Sequence, residues 1–132
     1  MNEPKKLSRT MRLTLLKSKL HRATVTGADI DYEGSIAIGP ELIQAAGLVP
    51  WERVDVYNVT NGQRFSTYVI PGIERGEILV NGAAARLVQK GDHVIVAAYA
   101  EFDLAEAKQH RPVVVLVDGE NRPLAADQVS AE

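Results

Sequence analysis

Apolar and polar residues alternate in many short runs along this chain, and turn-forming residues separate the runs. The separators include glycines, prolines and an Asn-Gly pair. A two-residue period bounded by such residues is typical of β-strands. The pattern therefore predicts a mainly β domain. Its strands are expected at Met11 to Leu16, Arg22 to Thr26, Ser35 to Ile38, Arg53 to Asn58, Gln63 to Ile70, Glu77 to Val80, His93 to Tyr99 and Pro112 to Val117.

Short helices are expected between some of these strands. Pro40 suits a first helical turn and Gly47 suits the position just past a helix end, so the first helix is predicted to lie between them. A second short helix is predicted over Asp103 to Gln109. The alanines at 83–85 follow an Asn-Gly pair and are expected to begin a further helical turn.

The Asn61-Gly62 pair lies between two β-rich runs and is the strongest hairpin signal in the sequence. A two-residue type I′ turn needs positive φ at both positions, which asparagine and glycine tolerate. The second strand of this hairpin is expected to alternate two sets of side chains. One set is Arg64, Ser66 and Tyr68, and the other is Phe65, Thr67 and Val69. The period alone therefore does not bring Thr67 and Tyr68 to one site.

Composition narrows the class of protein. With 132 residues, 45% of them hydrophobic, the chain has the size of one domain with a substantial core. The formal net charge is -2 and the basic residues are spread out, which argues against a nucleic-acid or membrane partner. There is no cysteine and the three histidines are far apart, so no disulfide and no metal site are expected. The polar N-terminus lacks a signal peptide and no run is long enough to span a membrane, so a cytoplasmic location is expected.

The dipeptide Gly34-Ser35 carries candidate chemistry. The Ser35 hydroxyl can attack the Gly34 carbonyl and turn the amide into an ester. β-Elimination would then free a fragment ending at Gly34, and hydrolysis of the dehydroalanine left behind would make residue 35 a pyruvoyl group. Glycine suits position 34 because it tolerates a strained or left-handed backbone. Since most Gly-Ser pairs are plain turns, the surrounding sequence has to decide.

Four blocks of sequence, one of which contains Gly34-Ser35, are informative together. They are Lys17-Ser18-Lys19-Leu20-His21-Arg22 with Ala23-Thr24-Val25-Thr26, then Tyr32-Glu33-Gly34-Ser35, then Asn58-Val59-Thr60-Asn61-Gly62-Gln63-Arg64-Phe65-Ser66-Thr67-Tyr68, and Asn81-Gly82-Ala83-Ala84-Ala85 with Gly91-Asp92. In this order they resemble the pyruvoyl-dependent aspartate 1-decarboxylase family. The resemblance implies a small double-psi β-barrel of six to eight strands with one or two short helices over residues 11–123. Residues 1–10 and 124–132 are expected to be a flexible extension and a flexible tail.

The resemblance also implies an activity. A carboxy-lyase of this family converts L-aspartate to β-alanine and CO2, and the β-alanine supplies pantothenate and coenzyme A synthesis. The implied cofactor is a covalently bound pyruvoyl group derived from Ser35, with no metal and no pyridoxal phosphate; its ketone forms a Schiff base with the substrate amine. The family assembles as homotetramers with active sites at subunit boundaries, and Trp51, Tyr57 and Tyr99 are available as interface anchors. Whether a maturation factor assists cleavage stays open.

Four side chains match family positions with chemical roles. Arg64 and Lys19 are the candidates for binding the substrate carboxylates, because a guanidinium binds a carboxylate bidentately and a lysine adds charge. Tyr68 matches the proton donor, since a phenol keeps its proton at neutral pH. Thr67 matches a residue that contacts substrate and takes part in processing, where its hydroxyl would polarise the Gly34 carbonyl. On residue type alone, each also has an ordinary explanation as a surface cation or a strand residue.

The remaining matches concern the loop after the Asn-Gly pair at 81–82. Gly82, Ala83 and Ala84 resemble the family's substrate-binding loop, where small residues leave backbone amides open to an anionic ligand. Three further matches near the site rank lower because each has a simple structural explanation. They are Asn81, Tyr32 and His21.

Two other functions remain open at this level. A pyruvoyl decarboxylase of another acidic amino acid, such as glutamate, differs by one methylene in the substrate, which is worth only about 1–3 kcal/mol of discrimination. An unprocessed, non-catalytic double-psi barrel that binds a ligand is the more distant alternative, because a fold alone does not fix a function. The sequence also leaves open which substrate carboxylate pairs with Arg64 or Lys19.

Overall fold

A computed structural model describes residues 7, 8 and 10–125 of the chain. Most of the expected flexible extension and tail, namely residues 1–6, 9 and 126–132, lies outside the described residues. At the C-terminal side, the described chain is still attached to the sheet at Leu124. Its backbone N–H donates to the carbonyl of Leu116 at 2.9 Å.

Within residues 10–125, eight strands form one sheet, which confirms the predicted mainly β class. They are β1 (Arg12–Thr24), β2 (Gly27–Asp29), β3 (Ser35–Ile38), β4 (Arg53–Asn58), β5 (Arg64–Pro71), β6 (Ile78–Asn81), β7 (His93–Asp103) and β8 (Val113–Leu116). Their order across the sheet is β2-β6-β3-β5-β4-β7-β1-β8. Mixed parallel and antiparallel pairs in a sheet of this size match a small double-psi β-barrel.

The buried core consists mainly of β-branched residues and leucines that alternate along the strands. Its most deeply buried members, all at most 2% exposed, include Leu20, Ile36, Ile38, Leu42, Val54, Val56, Val69, Ile78, Val80, Val94 and Val96. Valine and isoleucine suit a pleated surface that packs on one face. In β4 and β5 the side chains between the core residues are more exposed and include polar groups, whereas all four residues of β3 are buried.

Strand β5 joins the two halves of the sheet. Its first part pairs antiparallel with β4, with Tyr57 opposite Arg64 and Arg53 opposite Tyr68. Its last part pairs parallel with β3, from Ile36 opposite Val69 onward. Strand β6 then pairs antiparallel with the other edge of β3. The beginning of β3 is therefore enclosed between β5 and β6, and this is where Ser35 lies.

The helices agree closely with the sequence pattern. Helix α1 (Pro40–Ala46) begins at the predicted proline and ends at Gly47, whose φ of 65° is the left-handed cap expected of glycine. Helix α2 (Leu104–Gln109) begins one residue later than predicted, because Asp103 is its N-cap and forms a reciprocal capping box with Glu106. The expected helical turn after Asn81 is a 3₁₀ helix, Gly82–Leu87.

Two strand predictions were wrong. The first two predicted strands are parts of the single long strand β1, because Ser18 and Leu20 alternate inward and pair with β7 through the region that sequence left unassigned. Two register shifts let this strand bend, and Arg22 adopts a φ of 61° at the second. Strand β2 was missed because a strand of only three residues is too short to show a recognisable alternation of apolar and polar side chains. It is defined by its parallel pairing with β6.

The β4–β5 hairpin is confirmed, but its predicted turn type is wrong. Gly62 has a φ of 81°, whereas Asn61 is not among the described residues with positive φ, so the type I′ condition is not met. The connection is longer and is organised by Asn58, whose side-chain oxygen accepts from the backbone N–H groups of Thr60 and Asn61 at 2.9 and 3.2 Å. Such side-chain to backbone hydrogen bonds replace a tight two-residue turn.

Candidate active site

Ser35 is the first residue of β3 and is 1% exposed. It lies directly opposite Asn81 in the antiparallel pairing of β3 with β6. Its hydroxyl accepts a hydrogen bond from the Asn81 side-chain amide at 3.1 Å and donates to the carbonyl of Glu33 at 3.2 Å. The hydroxyl is therefore held in a fixed direction at the predicted cleavage position.

Gly82 packs against the backbone of residues 30–34, the segment just before the predicted cleavage position, which we call the cleavage segment. Its φ is 71°, and a Cβ added there would lie 2.6 Å from Gly34 Cα, 2.7 Å from Gly34 N and 3.2 Å from the carbonyl oxygen of Tyr32. No real Cβ approaches backbone atoms that closely, so only glycine fits. The start of the 3₁₀ helix is therefore in direct contact with the residue before Ser35.

The expected reason for a glycine at position 34 is wrong for the intact chain. Gly34 does not have a left-handed φ, and a Cβ added to it would meet no atom within 4 Å. Gly82 provides both the left-handed backbone and the close approach. Its dihedral angle and its neighbour depend on tertiary packing, which the sequence pattern does not reveal.

Tyr68 and Thr67 reach the same end of the barrel as Ser35. The parallel β3–β5 pairing begins with Ile36 opposite Val69, and both Tyr68 and Ser35 come directly before it on their strands. Thr67 and Tyr68 are both half-buried and alternate to opposite faces of β5, as predicted. The parallel register is what brings both residues beside the cleavage position.

Arg64 lies at the other end of β5, four residues before Tyr68, which is roughly 13 Å along an extended strand. Its guanidinium carbon lies 4.0 Å above the ring of Tyr57. No hydrogen bond or ion pair involves the Arg64 side chain among the described residues. This cation is therefore oriented by an aromatic ring and keeps its hydrogen-bond donors available for a carboxylate.

The ring that supports Arg64 is itself fixed. The hydroxyls of Tyr57 and Tyr99 are hydrogen-bonded at 2.9 Å. Burial, followed by this hydrogen bond and the nearby negative charge of Asp55, raises the pKa of Tyr57 to about 12, although the charge of Arg64 acts in the opposite direction. Tyr57 is therefore a neutral support for the guanidinium at neutral pH.

Lys19 and His21 belong to a strand that does not pair with β3. Both lie on β1, which is four strands from β3 in the order of the sheet. Lys19 pairs with Ala97 and Val114, and its side chain points away from the core that Leu20 fills. His21 borders a cavity of about 290 Å³ near Leu116, at the β8 side.

The other matched residues lie close to the cleavage position. Asn81 is buried and its amide oxygen has no hydrogen-bond partner among the described residues. Ala83 is exposed and Ala84 half-buried in the first turn of the 3₁₀ helix, directly after Gly82. Tyr32 is 57% exposed in the turn before Ser35, and its carbonyl faces Gly82.

Trp51 is a neighbour of this site that the sequence reasoning treated only as an interface anchor. Its indole stacks on the ring of Tyr68, with centroids 5.6 Å apart and an interplanar angle of 28°. The contact depends on an unusual backbone conformation, a φ of 75°. No pattern in the sequence reveals that a tryptophan adopts it.

A cavity of about 480 Å³ is bordered by Thr14, Arg53, Asp55 and Tyr99. Arg53 is directly opposite Tyr68 on the neighbouring strand, and Tyr99 is hydrogen-bonded to the tyrosine that supports Arg64, so the cavity lies beside these two candidate residues. None of the candidate site residues predicted from the sequence is among these four lining residues. Within the described part of the chain, no group of three or more potential metal-binding side chains comes together. The described helices are also all too short or too polar to cross a membrane.

Comparison with known proteins adds independent information. A family model described as aspartate decarboxylase matches residues 11–124. An aspartate 1-decarboxylase from Bdellovibrio bacteriovorus is 59% identical over 112 residues, covering 85% of this chain and 90% of the relative. One from Maricaulis maris is 55% identical over 121 residues, covering 91% of this chain and 100% of the relative. One from Chloroherpeton thalassium is 52% identical over 123 residues, covering 92% and 90%.

Proposed function

The chain belongs to the aspartate decarboxylase family, and we propose that it cleaves its own backbone between Gly34 and Ser35 to provide the pyruvoyl group for its reaction. The activity is the decarboxylation of aspartate to β-alanine and CO2. The observation that carries the proposal is the buried Ser35 hydroxyl, oriented by Asn81 beside Gly34.

The residues around Ser35 fit a pyruvoyl group at this position. The Asn81 side-chain N–H donates to the Ser35 hydroxyl at 3.1 Å and would donate in the same way to a ketone oxygen at residue 35, whereas the buried Asn81 amide oxygen, which has no partner among the described residues, would accept from the substrate amine. Gly82 leaves no space for a side chain and keeps its backbone beside residue 34. A ketone formed at residue 35 supplies an electron sink for the electrons that the departing carboxylate leaves behind.

Cleavage uses groups of the chain itself. The Ser35 hydroxyl attacks the Gly34 carbonyl, and the amide becomes an ester; elimination frees a carboxylate at Gly34, and hydrolysis of the dehydroalanine releases ammonia. Thr67, which comes two residues before the start of the β3–β5 pairing on the adjacent strand, donates its hydroxyl proton toward the carbonyl oxygen. Asn81 keeps the Ser35 hydroxyl in place for the attack.

Cleavage also explains how substrate reaches a buried position. In the intact chain Ser35 is 1% exposed, whereas residues 30–34 before it are exposed. Breaking the bond after Gly34 frees the end of this segment, which then moves away from Gly82. The intact chain is therefore a zymogen, in which the segment covers its own reaction centre.

Substrate binding uses the charges that lie on the outer face. Arg64 binds one carboxylate of aspartate through its free donors, and Lys19 contributes charge to the same site. Since no hydrogen bond or ion pair among the described residues links either side chain to Ser35, we propose a homotetramer in which neighbouring protomers complete each site. His21 lies on the same strand as Lys19, so the same protomer contributes both residues to the site.

The remaining matched residues act beside residue 35. Tyr68 delivers a proton from its phenol to the carbon that has lost its carboxylate. The substrate contacts Thr67 and the backbone of Gly82, Ala83 and Ala84. Tyr32 belongs to the segment before Ser35 that moves away after cleavage. The product supplies pantothenate synthesis, and the enzyme acts in the cytoplasm.

Replacing the serine tests the proposal. Ser35→Ala keeps the small buried volume of the position, so the circular dichroism spectrum is expected to stay that of the wild type. The variant is expected to remain one chain on denaturing mass spectrometry and to release no CO2 from aspartate. A variant with full activity would overturn the pyruvoyl route.

A further inference from the structure

Trp51 occupies a backbone conformation that a bulky residue rarely adopts. It is the third residue of a turn in which Glu52 N–H donates to the carbonyl of Val49 at 3.2 Å, and its φ is 75°. A turn of this kind, with proline second and positive φ third, normally has glycine or asparagine at the third position. A tryptophan there is a genuine outlier.

The strained turn is fixed to β5 beside Tyr68. Trp51 N–H donates to the carbonyl of Val69 at 2.8 Å, and Val69 N–H donates to the carbonyl of Glu52 at 2.9 Å. The Glu52 carboxylate is held by the Lys17 ammonium at 2.7 Å. The direction of the Trp51 side chain is therefore determined by the strand that carries Tyr68.

The indole makes a specific ring contact at this position. Its ring centroid lies 5.6 Å from that of Tyr68 at an interplanar angle of 28°, which is a stacked arrangement. Yet Trp51 remains 75% exposed, so it adds little to the core. A tryptophan at this position is unfavourable because its backbone is strained and because most of its apolar side chain is exposed to solvent. Asparagine would form the same turn without strain.

We propose that Trp51 is a positioning residue that holds the Tyr68 ring for proton transfer. This inference rests on the proposed function, in which the Tyr68 O–H bond breaks, a C–H bond forms at the carbon that has lost its carboxylate, and the phenolate regains a proton from water. Strain at a functional site is retained when it orients a reacting group. The stack restricts rotation of the phenol and covers one of its faces.

Two substitutions separate the ring contact from the turn. Trp51→Asn suits the left-handed conformation but removes the stack, whereas Trp51→Phe keeps a stacking ring in the strained turn. We expect Trp51→Asn to lower kcat about tenfold, with KM for aspartate within twofold and Tm no lower than that of the wild type. Trp51→Phe should retain at least half of kcat. Rates are expressed per cleaved subunit, as counted by mass spectrometry.

A matched control removes another exposed apolar side chain. Ile73 is 93% exposed and makes no ring contact, and Ile73→Asn is expected to leave kcat unchanged. A Trp51→Asn enzyme with kcat within twofold of the wild type would overturn the inference. A change confined to KM would also overturn it, because the indole would then contact substrate rather than orient Tyr68.

A double variant distinguishes this inference from the proposed function. If the indole acts only through the phenol, adding Trp51→Asn to Tyr68→Phe should cause no further loss of kcat. A further tenfold loss would contradict the inference. If Tyr68→Phe itself retained normal kcat, the proposed proton donor would be wrong, whatever Trp51 does. Trp51 is the one tryptophan of the chain, so its fluorescence reports the same stack: Tyr68→Ala should change its emission.

Discussion

Gly82 shows how one residue without a side chain arranges the reacting bond. Its left-handed φ and its contact with Gly34 bring the start of the 3₁₀ helix against the cleavage segment. The sequence block indicated this loop as substrate-binding but did not indicate that it touches Gly34. That contact arises only when β3 and β6 pair, so it could not be read from local sequence.

Gly82→Ala is therefore expected to block cleavage. The added Cβ would lie 2.6 Å from Gly34 Cα, and since both atoms belong to backbone, the cleavage segment has to shift. We expect cleavage to slow at least tenfold and the free energy of unfolding to fall by about 1–3 kcal/mol. The rate of appearance of the fragment ending at Gly34, followed by mass spectrometry, measures the first effect.

Gly47→Ala is the matched control for that substitution. Gly47 has a φ of 65°, close to that of Gly82, but an added Cβ would meet no atom within 4 Å. It should show the effect of left-handed strain alone, with cleavage at the wild-type rate. Equal cleavage rates in both variants would show that the contact with Gly34 does not matter.

At the scale of elements, turn-forming residues predicted boundaries well. Pro40 and Gly47 limit α1, and the alternation along β5 predicted which of its side chains share a face. The sequence pattern did not predict strand β2, and it divided β1 into two strands. Both features depend on pairing with strands that are distant in sequence. The parallel pairing of β3 with β5 likewise has no local signal, although it brings Tyr68 and Ser35 to the same end of the two strands.

The loop before β7 contains an acid-sensitive contact. The Asp92 carboxylate, 8% exposed, accepts from the Asn58 side-chain amide at 2.8 Å and from Gln89 N–H at 2.9 Å. The hydrogen bond from Asn58, followed by that from Gln89, holds the pKa of Asp92 below its ordinary value of 3.8. Because the folded pKa is the lower one, the carboxylate stabilises the fold above pH 3.8 and loses this contribution as pH falls through the folded value.

Asp92→Asn should accordingly be less stable than the wild type at pH 7, by about 1–3 kcal/mol, and the difference should shrink as the pH falls below about 3.8. Urea unfolding at several pH values measures it. Asp31→Asn is the control, because the Asp31 carboxylate accepts no hydrogen bond among the described residues. A difference between wild type and Asp92→Asn that stayed constant down to pH 2.5 would contradict the assignment.

For the whole molecule, the main structural question is which chains contribute to one site. The resemblance implies that Lys19, Arg64 and Ser35 act in one site and that this site lies at a subunit boundary. Within the described part of one chain, no hydrogen bond or ion pair links Lys19 or Arg64 to Ser35, and β1 is four strands from β3 in the order of the sheet. The proposed homotetramer, in which neighbouring protomers complete each site, accounts for this arrangement.

Mixed assemblies test that arrangement. Ser35→Ala and Lys19→Ala chains are each expected to have little activity when made alone. When they are produced together, random mixing should place an intact Ser35 beside a neighbour's intact Lys19 in about one quarter of the sites, giving a similar fraction of wild-type activity. Activity no greater than the sum of the separate variants would show that both residues act within one chain.

The most direct test of the whole account is the mass of the denatured wild-type protein after incubation with L-aspartate and borohydride. We expect two fragments, one ending at Gly34 and one beginning with a pyruvoyl group at residue 35, and we expect only the second to gain the mass of a reduced amine adduct. A single intact chain of 132 residues that decarboxylates aspartate without cleavage or adduct would contradict the account.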